Sequence, residues 1–450
     1  MKIDFPGSPA PSSGAQVGLR ATPALRSITF ARPPMSEHGL LDYVVRDDAL
    51  VWGRRGNGMV GFGEAARFES RGPERFAEAR AWWGGTLAGA ESTDNVGIPG
   101  TGPVAFASFS FSFTSARSSR MVVPEIVVGR RDDASWLTYT TADPDAELSV
   151  QAAEERLAVL LDDVSDEHEL GEGGDRLVPG EVSEGDYRER VAAGVRAINA
   201  GLLTKLVLAR DAVAELAAPI AVAQVLRELA LRYADCWTYS MDGLIGSTPE
   251  MLIQVEGKTA RARVLAGTLD RATAPAGDAG YARRLLSGDE KQRHEHSLAI
   301  DSLTEQLGPL VSGMVAPDEP FVLELPNVWH LASDVEAQLS VRGDGSAPSA
   351  LDLAEVLHPT AAVCGTPTKA AGALIRELEG MDRGAYAGPV GWVDSAGNGE
   401  FGIALRGGVV ESPTRIRLYA GCGIVGASDP DAELAESWAK MRPMREALNL

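Results

Sequence analysis

The segment GDEKQRHEHSLAIDSLTEQL, residues 288–307, places Glu295 between two histidines, His294 and His296. Its leucines and one isoleucine recur at helical spacing, and acidic residues occupy its first turn, so the segment is predicted to be a helix. A zinc site on a helix needs two histidines four residues apart on one face. Residues two apart are rotated by about 200° around the helix axis, so we expect no zinc site here.

Glu295 is the residue of this segment that suits a hard cation, because carboxylate oxygens are ligands that Mg²⁺ accepts. One carboxylate does not make a site, and the C-terminal segment DPDAELAESWAK offers more. Glu433 and Glu436 are three residues apart there, with Lys440 four further on, so all three share one helix face. Solvated Glu–Lys pairs show the same spacing, and the residues alone leave both interpretations open.

Composition and charge narrow the function classes. The chain has 450 residues and a formal net charge of −21, which argues against nucleic acid or an anionic membrane as a partner. Its three cysteines form no CxxC pair, which is typical of a reducing compartment. There is no signal-peptide core and no run of the ~18 apolar residues that a membrane helix needs, so we expect a cytoplasmic protein.

The patterning divides the chain into parts. Residues 1–24 are rich in Pro, Gly and Ser and are expected to be flexible. Residues 25–161 carry short β-like runs, and residues 162–186 are acidic and Gly-rich, which predicts a surface linker. Residues 187–450 show the stronger helix and strand patterns.

The predicted elements indicate an α+β fold. Long antiparallel strands are mixed with helices, without the regular alternation of a Rossmann-type fold. The run VAFASFSFSF, residues 104–113, alternates with period two and predicts a half-buried strand. The final helix is expected to begin at a cap formed by Ser428 or Asp429.

A series of motifs then suggests a family. They occur in the order KLVLARD, STPEML, LAGT, RHEH, NVWHLASDV, LHPTAAVCGTP, GAYAGPVGW, FGIALRGG and YAGCGIVGASDPDAELAES. Together they resemble the chorismate-utilising enzymes, most closely the isochorismate synthases, densely over residues 186–447 and loosely before. The resemblance implies that residues 25–450 form one domain, with two large antiparallel β-sheets packed face to face, helices outside, and chorismate and Mg²⁺ in the cleft.

The resemblance also assigns the metal site. Glu295 and Glu436 would bind Mg²⁺, with Glu433 as a supporting acid, and the two histidines beside Glu295 would be bystanders. Relatives often have an acid three residues before this glutamate, where this chain has Gln292. The missing negative charge is expected to loosen Mg²⁺ binding without abolishing it.

Lys205 and Glu250 are the expected catalytic base and acid for moving a hydroxyl between ring carbons. Lys205 lies in the apolar run LLTKLVLA, where burial would favour the neutral amine, although a solvent-facing lysine fits the sequence equally well. Glu250 must be protonated to donate, which requires a raised pKa. Its motif reads Thr-Pro-Glu, where relatives commonly have Ser-Pro-Glu.

The remaining expected site residues bind substrate. A planar guanidinium suits a carboxylate, and glycines let backbone N–H groups approach oxygens. By resemblance, the set comprises Gly267, Thr268, His330, Ala362, Tyr386, Arg406, Gly421, Gly423 and Lys440.

Ala362 bears on the product. Relatives that use ammonia usually have a threonine there, so alanine favours attack by water and an isochorismate synthase. Ala361 is a small departure from the His-Pro-Thr-Pro of relatives. A salicylate synthase, which also eliminates pyruvate, is the main alternative, and a catalytically silent binding protein on this fold is a remote one.

The expected partners follow from this assignment. The substrate is chorismate, no glutamine amidotransferase subunit is expected, and we expect a monomer. Menaquinone biosynthesis is the expected pathway, with siderophore biosynthesis as the alternative.

Overall fold

The protein is described by a computed structural model over residues 24–162, 174–271, 280–288, 290–343 and 345–450. Residues 1–23 of the expected flexible N-terminus and residues 163–173 of the expected linker lie outside the described residues. Among the residues that are described, no helix is long and apolar enough to span a lipid bilayer.

The α-helices are α1 (Arg75–Ala88), α2 (Val150–Asp162), α3 (Glu184–Asn199), α4 (Val222–Arg232), α5 (Tyr281–Gly288), α6 (Glu290–Leu307), α7 (Ala350–Leu357), α8 (Thr368–Leu378) and α9 (Pro430–Ala447). The strands of the first part are β1 (Arg26–Arg32), β2 (Leu50–Arg54), β3 (Asn57–Phe62), β4 (Ala66–Ser70), β5 (Glu91–Asp94), β6 (Val104–Ser108), β7 (Ser119–Val123), β8 (Ile126–Arg131), β9 (Ala134–Thr141) and β10 (Arg176–Pro179). The later strands are β11 (Lys205–Glu215), β12 (Trp237–Met241), β13 (Leu244–Thr248), β14 (Met251–Glu256), β15 (Thr259–Asp270), β16 (Val311–Val315), β17 (Phe321–Glu324), β18 (Val328–Leu339), β19 (Gly365–Thr366), β20 (Pro389–Asp394), β21 (Gly399–Ile403), β22 (Gly407–Ser412) and β23 (Arg415–Ile424).

The described strands form two large sheets. The larger sheet has the order β10-β11-β23-β22-β13-β12-β2-β3-β8-β9-β1-β5, with β19 paired to β11. The smaller sheet has the order β16-β18-β15-β14-β21-β20-β6-β7-β4, with β17 paired to β18. All of these pairings are antiparallel except that of β1 with β5. The predicted α+β class with two large antiparallel sheets is confirmed.

Both sheets combine a block of strands from the first part of the chain with a block from the later part. In the larger sheet β2 pairs with β12, and in the smaller sheet β6 pairs with β20. One apolar core joins the facing sheets, with Leu206 and Leu208 from β11 in the same cluster as Ile253 and Phe401 from the smaller sheet. The cleft described below lies between these sheets.

The segment 104–113 differs from its predicted half-buried strand. Strand β6 covers only Val104–Ser108, and all five of its residues are buried. The reason is that β6 lies inside the smaller sheet, between β20 and β7, with both of its faces covered. The alternation of Ser and Phe therefore reflects the packing of small and large side chains, and it does not mean that one face of the strand is exposed to solvent.

Part of the predicted linker belongs to the sheet. Residues 176–179 form β10, which pairs with β11 at the edge of the larger sheet. Helix α3 then begins after Ser183, whose side chain forms a capping box with Asp186. Helix α9 begins at the predicted cap, where the Asp429 carboxylate accepts from the backbone N–H groups of Asp431 and Ala432.

Two short helices near the cleft were not predicted. Helix α7 has a capping box between Ser349 and Asp352, which is a signal that the sequence carries. Helix α8 has no side-chain cap and follows Pro367 directly. Its sequence lacks the start signal on which helix prediction depends.

Candidate active site

Most of the predicted site residues line one cleft between the sheets, whereas Lys205, Glu433 and Glu436 lie beside it and are not among its lining residues. Strand β11 and strand β23 contribute from the larger sheet, β15 and β18 from the smaller, and helices α6 and α9 close the ends. The predicted residues that line it are Glu250, Gly267, Thr268, Glu295, His330, Ala362, Tyr386, Arg406, Gly421, Gly423 and Lys440.

Lys205 and Glu295 form an ion pair at the floor of the cleft. Lys205 is the first residue of β11 and is fully buried, and its Nζ lies 3.2 Å from Glu295 Oε1 on α6. The carboxylate packs against the backbone of Gly423, where an added Cβ would lie 2.0 Å from Glu295 Oε1. Gly423 is therefore required by close approach, and the solvent-facing interpretation of Lys205 is wrong.

Glu250 is the acid of the cleft. It lies in the turn between β13 and β14 and is 5% exposed. Burial raises the pKa of Glu250 to about 8, although the charges of Lys205, Lys440 and Arg406 act to lower it. A carboxyl group with this pKa is mostly protonated at neutral pH and can donate a proton, as the sequence analysis required.

Arg406 is held by His330. The Arg406 Nη2 donates to His330 Nε2 at 2.8 Å, and His330 Nδ1 lies 3.2 Å from the carbonyl oxygen of Gly267. The other terminal nitrogen, Arg406 Nη1, is buried, and none of the described residues accepts a hydrogen bond from it. Because a guanidinium costs free energy when it is buried unpaired, this nitrogen is ready to receive an anionic oxygen.

Gln292 has a role that the sequence did not suggest. Its Oε1 accepts a hydrogen bond from the backbone N–H of Thr268 at 3.1 Å, and so joins α6 to β15. Gly267, whose φ is +83°, makes room for this side chain. The N–H of Thr268 was expected to approach a substrate oxygen, and in this structure Gln292 takes that position.

The C-terminal helix brings a second lysine–glutamate pair. Lys440 Nζ lies 2.6 Å from Glu436 Oε1 and donates to the carbonyl oxygen of Gly421 at 2.9 Å. Burial acts to lower the pKa of Lys440, but the Glu436 carboxylate outweighs it and holds that pKa above its ordinary value. The pair is therefore part of the cleft and not a solvated surface pair.

The acidic residues of α9 suit a divalent cation. Ligand atoms of Cys422, Glu433 and Glu436 lie within 4.8 Å of one another. Burial raises the pKa of the Cys422 thiol well above its ordinary value, and its Sγ donates to the Glu433 carbonyl, so the thiol is no ligand for a hard cation. The carboxylates of Glu433 and Glu436 are oxygen donors of the kind that Mg²⁺ accepts.

Glu295 is not part of that three-residue cluster. Its carboxylate is paired with Lys205, as Glu436 is with Lys440. Each of the two predicted metal ligands therefore has a lysine as its counter-ion in this structure.

Tyr386 and Tyr419 form one wall. Their rings stack with centroids 5.1 Å apart, and an added Cβ at Gly421 would lie 3.1 Å from the Tyr386 hydroxyl oxygen. Burial raises the pKa of Tyr386 to about 12, so the hydroxyl stays protonated and can donate to a carboxylate.

The two histidines beside Glu295 diverge as the helix geometry predicts. His294 is exposed, whereas His296 is buried with its Nε2 2.8 Å from Ser333 Oγ. Burial lowers the pKa of His296 to about 4, which keeps the ring neutral.

Sequence reasoning missed one buried ion pair beside the cleft. Glu379 and Arg383 pair with both side chains 2% exposed, and Arg383 lines the cleft. Arg383 Nη2 donates to the Val207 carbonyl at 2.9 Å, and Glu379 Oε1 accepts from the Ala209 N–H at 2.8 Å. The pair thus holds β11 in place near Lys205. Spacing of four residues is also typical of exposed pairs, so the sequence gives no sign of its burial.

The cleft is narrow in this state. It encloses about 60 Å³, whereas sites for small organic ligands commonly enclose about 300–1,000 Å³. The Lys205–Glu295, Lys440–Glu436 and Arg406–His330 contacts fill the space between the sheets. Binding of a ring-sized dianion therefore requires these side chains to part.

The fold and the cleft define an enzyme in which the buried Glu250 and Arg406 line one small-molecule site, with the buried Lys205 beside it. Residues 21–449 match the family described as chorismate binding enzymes. The chain belongs to this family.

Curated relatives support the same placement. Isochorismate synthase DhbC of Bacillus subtilis (strain 168) is 37% identical over 276 residues, which cover 59% of this chain and 68% of that protein. Isochorismate synthase MenF of the same organism is 30% identical over 411 residues, which cover 87% of this chain and 85% of that protein. The solved structure of MenF, the menaquinone-specific isochorismate synthase of Escherichia coli, is 25% identical, with a TM-score of 0.75 over 95% of each chain.

Proposed function

We propose that this protein isomerises chorismate to isochorismate with Mg²⁺. Water adds at ring carbon 2, the hydroxyl leaves from carbon 4, and the ring double bonds shift between them. The proposal is supported by the family, by relatives that are named isochorismate synthases, and by the charged groups of the cleft.

Lys205 and Glu250 carry the proton transfers. Before the substrate closes the cleft, the Lys205 ammonium that pairs with Glu295 must release a proton to solvent, and the neutral amine then takes a proton from the attacking water. Glu250 gives its proton to the departing hydroxyl, which leaves as water. Both groups are buried, so bulk water does not compete for these protons, and each transfer has a donor or acceptor of its own.

Arg406 and Tyr386 bind the side-chain carboxylate of the substrate. The unpaired Nη1 of Arg406 donates to one oxygen, and the Tyr386 hydroxyl is the second donor. A planar guanidinium gives this contact direction as well as charge.

Glu295 and Glu436, with Glu433 beside them, would hold Mg²⁺. When bound, the ion supplies positive charge that neutralises the ring carboxylate of the substrate. Glu295 and Glu436 would then no longer pair with Lys205 and Lys440, so that Lys205 could act as the base after release of its proton and Lys440 would be a second cation in the cleft. Gln292 in place of an acid keeps the local negative charge lower and is expected to weaken the ion's affinity.

The single observation that carries the proposal is the buried carboxyl group of Glu250, whose pKa burial raises to about 8, in the cleft beside the buried Lys205. The test is incubation with chorismate and Mg²⁺ in H₂¹⁸O, followed by mass spectrometry. One ¹⁸O should appear in isochorismate at carbon 2, and added ammonia should leave the product unchanged. Salicylate with stoichiometric pyruvate would instead establish a salicylate synthase, and an unreacted substrate that still binds would establish a silent binding protein.

The pathway and assembly are part of the proposal. We propose a role in menaquinone biosynthesis, with siderophore biosynthesis as the alternative; alignment with the menaquinone-specific enzyme of Escherichia coli over 95% of the chain supports it. We propose a cytoplasmic monomer that needs no amidotransferase subunit, because water is the nucleophile. Restoration of menaquinone in a bacterial strain that lacks its own synthase tests the pathway, and light scattering tests the oligomeric state.

A further inference from the structure

A second and larger cavity lies behind β11, on the other side of the Glu379–Arg383 pair. It encloses about 860 Å³ and lies between the start of α1, the loop after β6, the end of α7 and one side of α8. Its apolar lining includes Phe76, Phe111 and Phe113. Its size exceeds that of the candidate active site and lies within the range of small-molecule sites.

Arg75 is a buried cation in this cavity, and the described part of the chain provides no counter-ion for it. It is 7% exposed, and its guanidinium nitrogens reach only the carbonyl oxygens of Gly72 and Ser110, each at 3.3 Å. Its Nε has no hydrogen-bond partner, and no carboxylate of the described residues forms an ion pair with it. A guanidinium removed from water without an anionic partner costs several kcal/mol, which an anionic ligand would recover.

The rest of the lining carries charges of both signs. Lys369 and Arg376 line the cavity with exposed side chains, and neither forms an ion pair with another described residue. Of the acids of the lining, Glu355 pairs with Arg80 and Glu379 with Arg383, whereas Glu181 shares Arg417 with Asp211 and Glu411, and Asp382 accepts from neutral groups of Ser115 and Ala116. Arg75 is therefore the buried charge of the lining for which no described residue provides a counter-ion.

The first turns of two helices add positive electrostatic potential to the cavity. The first turns of α1 and α8 both line the cavity, through Arg75 and Phe76 and through Thr368 and Lys369. Neither helix has a side-chain cap. The uncapped N–H groups and the positive ends of the helix dipoles both favour an anion at these positions.

We propose that this cavity is a binding site for a small carboxylate with a flat apolar ring, distinct from the site for chorismate. The carboxylate pairs with Arg75 at the start of α1. The ring packs against Phe76 and Phe111, and Arg376, whose guanidinium lies 5.7 Å from the Phe113 ring centroid, covers it from the outer side. The aromatic lining distinguishes such a ligand from inorganic phosphate, which would leave these rings without a contact.

The site does not overlap the candidate active site. Arg383 is the residue that the two linings share, and it is tied to Glu379 and to the carbonyl oxygens of Val363 and Val207. The inference therefore does not rest on the proposed function, and binding at this site is measured separately from turnover.

The test uses benzoate as the probe, measured by calorimetry on the full chain with and without chorismate. We expect benzoate to bind with chorismate present, and Arg75→Gln and Arg376→Ala each to weaken that binding at least about tenfold, the loss expected for one charge-assisted contact. Arg196→Ala, at an exposed arginine of α3, is the matched control and should leave it unchanged. All three variants should keep the wild-type rate of chorismate turnover.

Three outcomes overturn the proposal. In the first, chorismate displaces benzoate, and Arg406→Lys weakens benzoate binding whereas neither cavity variant does. Benzoate would then bind in the active site. In the second, inorganic phosphate binds as tightly as benzoate. The cavity would then recognise the negative charge of a ligand and not its ring. In the third, benzoate does not bind at concentrations up to about 10 mM, a dissociation constant that corresponds to a binding free energy of about −3 kcal/mol. Arg75 would then have no such ligand. If Arg75→Gln does not fold, Arg376→Ala on the outer side decides the matter.

Discussion

Arg406 Nη2 donates to His330 Nε2 at 2.8 Å, and this contact determines the protonation of the imidazole. A guanidinium has donors and no acceptor, so His330 Nε2 must accept and cannot carry a proton. The proton is then on Nδ1, which donates to the Gly267 carbonyl. Burial, with the charges of Arg406 and Lys440, holds the pKa of His330 well below its ordinary value, in agreement with a neutral ring.

Replacement of His330 should therefore act through Arg406. In His330→Phe the guanidinium loses the acceptor that orients it, and we expect the KM for chorismate to rise about tenfold, the value of one hydrogen bond to a charged group. Because this contact exists before and during the reaction, kcat should change much less. Steady-state kinetics measure both constants. Combined with Arg406→Lys, the change should be less than additive, and full additivity would show that the two side chains act independently.

The buried acid predicts a pH limit. Glu250 donates only when protonated, and its pKa of about 8 means that it is protonated below pH 8 and loses its proton above it. We expect kcat/KM to fall tenfold per pH unit above about pH 8 because the free enzyme loses its acid. The carboxylates of chorismate are ionised throughout this range, so they add no further pH dependence to kcat/KM. A rate that still rises at pH 9 would contradict the assignment of Glu250.

Removal of the buried lysine should abolish most of the turnover. In Lys205→Ala no amine can take the proton of the attacking water, and we expect kcat to fall by about 10²-fold or more. Substrate binding should survive, since Arg406 and Tyr386 are untouched, and equilibrium dialysis with chorismate checks this. Lys258→Ala, in the exposed turn between β14 and β15, is the control. Normal turnover in Lys205→Ala would exclude this lysine as the base.

The metal ligands can be tested by titration. EDTA should stop the reaction and Mg²⁺ should restore it, because carboxylates of α6 and α9 provide the oxygen donors. Glu295→Gln and Glu436→Gln should each raise the Mg²⁺ concentration for half-maximal activity by at least about tenfold, the loss of one charged ligand. Calorimetric Mg²⁺ binding gives the same comparison without turnover. Restoration by Zn²⁺ ahead of Mg²⁺ would show that the ligand set is misassigned.

The Glu379–Arg383 pair predicts a stability change. Glu379→Gln leaves the fully buried Arg383 without its counter-ion, and we expect the free energy of unfolding to fall by about 3–5 kcal/mol. Urea denaturation followed by circular dichroism measures the loss. Glu228→Gln, which removes an exposed partner of Arg232, should cost less than about 1 kcal/mol. Equal effects of the two changes would mean that the buried pair does not anchor β11.

Several features of the site follow from the sequence alone. The spacing of His294 and His296 excludes a shared metal because a helix separates residues two apart, and the structure places one in solvent and the other against Ser333. The Asp429 cap and the common face of Glu436 and Lys440 are likewise local, since they depend on positions within one helix. The ordered motifs identified the family, and each of them contributes residues to the lining of the same cleft.

Other features were decided by the tertiary structure. Whether Lys205 is buried or solvent-facing depends on which elements cover the end of β11, and its partner Glu295 is 90 residues away in sequence. Gln292 binds the backbone of β15, and Glu379 and Arg383 lie inside the protein, although each has the sequence pattern of a surface residue. Local spacing determines which side chains share a face of one element. Burial and ion pairing depend on which elements pack against that face, and distant parts of the chain determine this.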